Sequence, residues 1–89
     1  MAKRGRLELI YDILKVLHNN RGPMKPTPWL RKSNLSSLRF KEYYLEMLEK
    51  DFIKEVDFSG ERRITITEHG IHFLEKYATI KNFIDEFDL

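Results

Sequence analysis

Two six-residue runs rich in β-forming residues, Phe52-Ile53-Lys54-Glu55-Val56-Asp57 and Arg62-Arg63-Ile64-Thr65-Ile66-Thr67, enclose Phe58-Ser59-Gly60-Glu61 with its turn glycine. They predict a β-hairpin. This hairpin constrains the fold most, because helical periodicity stands on both sides of it. Ile64 and Ile66 share one face of the second run, and Arg63 and Thr65 share the other. One face must therefore rest half buried on helices. At 89 residues the chain makes one domain with one modest core.

The helices follow from their apolar stripes. Leu7, Ile10, Tyr11, Leu14 and Leu17, widened by Ile13 and Val16, mark one helix face, and Asn19-Asn20-Arg21-Gly22-Pro23 stops it. The first helix is thus expected over about Arg6 to His18. Met24-Lys25-Pro26 is at most a short extended segment at a sheet edge, since Pro26 has no donor. Thr27 as N-cap and Pro28 as first helical residue start a second helix that runs to Lys32 or Ser33. Ser33-Asn34-Leu35-Ser36 reads as a turn plugged by Leu35. Ser36 or Ser37 then caps a third helix with Phe40, Tyr44, Met47 and Leu48 facing inward and Leu45 beside them. Lys50-Asp51 ends it. After the hairpin, Thr67 caps a final helix with Glu68 at its positive end.

Charge is distributed unevenly. Residues 1–45 hold ten Lys/Arg against three Asp/Glu, a balance of +7, whereas residues 46–89 hold six against eleven, a balance of −5. The first half attracts a polyanion, which points to nucleic acid. Cysteine is absent, so neither a disulfide nor a thiolate metal site is available. No apolar run is long enough for a secretory signal or a membrane span, and a cytoplasmic, nucleoid-associated protein is expected.

Four basic groups are candidates for duplex DNA. A helix-turn-helix sets the N-terminal residues of its second helix at base edges in the major groove. Here those are Ser36, Ser37, Leu38, Arg39, Lys41 and Glu42, with Tyr43 one turn on. Arg39 and Lys41 suit guanine or phosphate. Arg62 and Arg63 bring two guanidinium groups to the hairpin, and Arg31 and Lys32 add phosphate contacts from the second helix. The basic start, with Lys3, Arg4 and Arg6, can reach phosphates or a minor groove. Helix 36–50 and hairpin segment 57–63 are thus the expected reading elements. Catalytic patterns are absent: His69 and His72, three residues apart, lack a third spaced ligand, and no metal or cofactor is expected.

The last helix carries an apolar seam of Phe73, Tyr77, Ile80, Ile84 and Phe87, with Leu74 and Phe83 at its side. Phe73 and Leu74 are within reach of the domain core, but at about 1.5 Å per residue Ile84 lies roughly 16 Å beyond Phe73. Tyr77, Ile80, Phe83, Ile84 and Phe87 are therefore expected to meet a second copy of the chain. Residues 1–72 then form the DNA-binding domain with its basic arm, and residues 73–89 serve dimerisation.

Leu9-Ile10-Tyr11-Asp12-Ile13-Leu14, Asn34-Leu35-Ser36, Leu48-Glu49-Lys50, and Ile66-Thr67-Glu68-His69-Gly70 leading to Phe73-Leu74-Glu75 occur in an order and spacing that resembles the small archaeal winged-helix DNA-binding proteins. These include the dimeric chromatin-associated type from Sulfolobus. The resemblance implies a mainly α fold with a β-hairpin: a winged helix-turn-helix plus a C-terminal dimerisation helix. It implies double-stranded DNA as partner, no catalysis, and a homodimer whose last helices pair antiparallel. Two departures stand out. Pro28-Trp29 is unusual bulk in the second helix, and Asp51 stands where the family usually has a glycine, so it must take a left-handed conformation. The alternative is a winged helix that binds another protein and no DNA.

Overall fold

A computed structural model describes residues 5–89. Its elements run α1 (Arg6–Asn19), α2 (Pro26–Ser33), α3 (Ser37–Glu49), β1 (Ile53–Phe58), β2 (Glu61–Ile66) and α4 (Glu68–Glu86). The fold is mainly helical with one antiparallel hairpin, as expected. α1 lies at the centre, against α2, α4 and β2. Its buried residues are Leu9, Ile10, Ile13, Leu14 and Leu17. Leu7, placed on the buried stripe by its spacing, is exposed instead, and Leu9 is buried. A helix covered by three neighbours buries a broad arc, and Leu7 falls at the arc's edge in the first turn.

α2 begins two residues earlier than its sequence suggests. Lys25 holds the N-cap position, Pro26 is the first helical residue, and Thr27 lies inside the helix. The amides of a first helical turn have no intrahelical partner, so Pro26 and Pro28 both fit there. Trp29 is fully buried, and its Nε1–H donates to the Ile13 carbonyl at 2.9 Å. Its ring meets those of Phe40 edge-on at 5.0 Å and Tyr44 at 6.1 Å. The unusual bulk is thus the hub that joins α1, α2 and α3. Asn34 ends α2 in the left-handed region, and Leu35 packs half-buried against the core.

Ser36 caps α3, its Oγ accepting the Arg39 amide at 3.3 Å. At the far end Asp51 has φ of 62°, the conformation the resemblance requires of it. The Asp51 amide donates to Leu48 O and the Phe52 amide to Met47 O. That pair of bonds is a Schellman motif, and it buries Phe52 beside Met47.

β1 and β2 pair from Ile53↔Ile66 to Phe58↔Glu61. The loop is therefore two residues, Ser59 and Gly60, both with positive φ (55° and 83°), as a type I′ turn demands. The four-residue turn and the strand limits expected from sequence each shift by one residue. Met24 exchanges two backbone hydrogen bonds with Ile64, at 2.9 and 2.8 Å, and so occupies the open edge of β2.

Thr67 caps α4, accepting the Gly70 amide at 3.0 Å while its hydroxyl donates to Asp51 O at 2.6 Å. Leu74 is buried, and Phe73 lies 5.0 Å from the Phe52 ring. From Thr79 onward every residue of α4 is exposed. The helix projects from the domain, and the molecule measures 48 × 26 × 23 Å.

Candidate nucleic-acid interface

The inward side of α3 is fixed by Phe40 and Met47. At about 100° per residue, Leu38, Glu42, Leu45 and Glu49 lie on the opposite side. All four are exposed, Leu38 at 71% and Leu45 at 54%. Leu45 was expected beside the inward stripe; Tyr44 and Leu48 fill that side and leave it outward. Arg39 and Lys41 are exposed on opposite flanks of this outward strip, and Arg39 leans over Tyr43 at 6.0 Å. Ser37 is exposed, whereas the Ser36 hydroxyl serves the helix cap. Arg31 and Lys32 are exposed at the C-terminal end of α2, where they also suit the helix dipole.

The hairpin presents its two arginines on opposite faces, because alternate residues of a strand point opposite ways. Arg62 shares its face with Ile64 and, across the strand pair, with Glu55. Its guanidinium is largely exposed and lies 3.6 Å from the Glu55 carboxylate. The same carboxylate accepts the Tyr44 hydroxyl of α3. Tyr44, Glu55 and Arg62 thus form a latch between α3 and the hairpin. Burial of the phenol and its bond to Glu55 push the Tyr44 pKa up to about 12.

Arg63 faces the other way and has local partners. Its guanidinium stacks 4.8 Å above the Phe58 ring, donates to Pro23 O at 3.4 Å and meets Glu61 at 3.4 Å. Lys25 lies 3.1 Å from the same Glu61. Lys25 and then Arg63 hold that exposed carboxyl below its ordinary range. Arg6 pairs with Glu46 of α3, and Lys3 and Arg4 lie outside the described residues. His69 leans on Phe52 at 5.2 Å, and among the described residues no three His, Cys, Asp or Glu side chains stand together as a metal site.

Of the residues expected to meet DNA, Ser37, Arg39 and Lys41 are exposed on α3, with Tyr43 half-buried beside Arg39. Arg31 and Lys32 are exposed at the end of α2, where Lys32 borders Asn19, Asn20 and Arg21 of the α1 terminus. Arg62 reaches α3 only through Glu55 and Tyr44. The structure commits Arg6 and Arg63 to internal partners. Sequence reasoning missed the outward leucines as a pair and the Tyr44–Glu55–Arg62 latch. A two-residue turn at Ser59-Gly60 would have put Phe58 and Arg63 on one face.

On α4, Tyr77 packs against Tyr11 at 4.9 Å and Phe73 at 6.0 Å. Ile80, Phe83, Ile84 and Phe87 stay between 41% and 58% exposed on one stripe. A groove lined by Glu8, Tyr77, Ile80, Lys81, Ile84 and Asp85 runs between this stripe and the start of α1. No described helix is long and apolar enough to cross a membrane.

Residues 3–85 match the family model described as winged helix-turn-helix. Among solved structures the chain is similar to SSV1 F-93, with a TM-score of 0.63 and 23% sequence identity, over 84% of this chain and 91% of that one. At that identity the likeness speaks for the fold alone. No curated protein matches the chain.

Proposed function

Since the chain belongs to the winged helix-turn-helix family, we propose that it is a non-catalytic DNA-binding protein, a transcriptional regulator or a chromatin-type architectural protein. α3 enters the major groove, the hairpin serves as the wing on the flanking backbone, and Arg31 and Lys32 hold phosphates beside them. The observation that carries this reading is the pair of exposed cations Arg39 and Lys41 flanking the outward side of the capped helix α3, with Arg31 and Lys32 exposed on α2 and Arg62 largely exposed on β2. The latch through Glu55 fixes the wing against that helix. Two copies joined along Ile80, Phe83, Ile84 and Phe87 give two such heads.

A salt titration of duplex binding tests the reading. Four phosphates neutralised per head give a slope of log K against log salt of about −3.6. No retention of duplex DNA, or retention indifferent to salt, overturns it. The exposed Leu38 and Leu45 favour a second reading, a protein partner on the same face. Replacing Arg39 and Arg62 by alanine separates the two. Loss of DNA retention in a folded protein supports the first reading, and an unimpaired protein complex supports the second.

A further inference from the structure

Resting on that DNA-binding reading, we infer that α3 reads sequence and that Leu38 is its thymine-contacting residue, packing on the C5-methyl group in the major groove. Leu38, Glu42 and Leu45 stand directly opposite Phe40 and Met47, where a helix reaches deepest into a groove. Leu38 and Leu45 remain 71% and 54% exposed and add nothing to the core. Glu42 between them repels phosphate. This central strip is therefore poorly suited to neutralising a backbone. It suits base edges: apolar side chains pack on thymine methyl groups, and a carboxylate accepts from the cytosine amino group.

The two cations of α3 stand at the flanks of this strip, where the groove walls would be. Arg39 lies about 100° to one side of Leu38 and Lys41 about 60° to the other, with Arg31, Lys32 and Arg62 on the neighbouring elements. Charge at the flanks selects a duplex as the occupant, and the apolar centre selects thymine within it. Leu38 leads because it lies in the first turn of the reading helix, nearest the bases.

Selection of the full chain against a random-sequence duplex pool tests this, followed by replacement of single thymines with deoxyuridine, which removes only the methyl group. The expected result is an enriched site with a fixed thymine whose replacement weakens binding about fourfold, the worth of one buried methyl group. Leu38→Ala keeps its helix, since the position is exposed and alanine is a strong helix former. That variant binds about as weakly as wild type on the deoxyuridine site, and it no longer distinguishes the two bases. No enriched position, no effect of deoxyuridine, or equal sensitivity in Leu38→Ala overturns the inference. If salt-dependent binding to unselected duplex persists in those cases, the DNA-binding reading survives without it. If no duplex is retained at all, both fall and the leucines mark a protein contact.

Discussion

A β-carbon at Gly70 would stand 2.3 Å from the Phe52 carbonyl oxygen and 2.7 Å from Cγ1 of Ile66. The same carbonyl accepts the Thr67 amide, so it is not free to move away. Alanine in place of a helical glycine ordinarily stabilises by about 1 kcal/mol. Here the overlap reverses the sign, and Gly70→Ala is expected to lose about 2 kcal/mol in a denaturant titration. Tyr44 gives a second residue-scale expectation. Its pKa in the fold is about 12, against 10.0 for a free phenol. The folded state therefore holds this proton more tightly than the unfolded chain does. The contribution is complete below pH 10 and is lost as pH rises towards 12. The stability difference between wild type and Tyr44→Phe should shrink across that window, and a constant difference would contradict the raised pKa that burial and the bond to Glu55 give this phenol.

At the level of elements, the wing depends on a turn with two left-handed residues. Gly60 has open space where a β-carbon would go, so Gly60→Ala tests the backbone alone. It is expected to cost about 1 kcal/mol, seen as a lower denaturant midpoint at unchanged slope. Local chemistry was legible in the sequence wherever an element announces itself through its own residues. Ser36 and Thr67 cap the helices expected of them, and Asp51 adopts the left-handed conformation foreseen for it. The start of α2 was misread because two prolines and a threonine are all compatible with a first turn. The buried arc of α1 was misread because three neighbours, not periodicity, decide which leucine is covered. The partners of Arg63 were illegible because Pro23 lies 40 residues away in sequence and Phe58 joins it only in the observed register.

The whole molecule is longer than its core requires, because the last turns of α4 project past the domain. Ile80→Asp with Ile84→Asp should leave the fold intact, since neither residue packs on the core. Sedimentation should then report a dimer for wild type and a monomer for the variant. Equal masses would remove the stripe as the interface. The salt slope is a whole-molecule quantity too, and a dimer engaging one duplex with both heads should roughly double the per-head value. Trp29 has a consequence for all of these measurements. It is the chain's one tryptophan, it is sealed from solvent, and its ring N–H is tied to Ile13. Its emission is therefore expected to be blue-shifted in the folded protein, an intrinsic optical gauge of whether the core is assembled. The outward strip of α3 lies on the far side of that helix from the indole. Bound DNA should leave the emission wavelength unmoved while unfolding shifts it to the red, so one cuvette separates a variant that has lost its grip from one that has lost its fold.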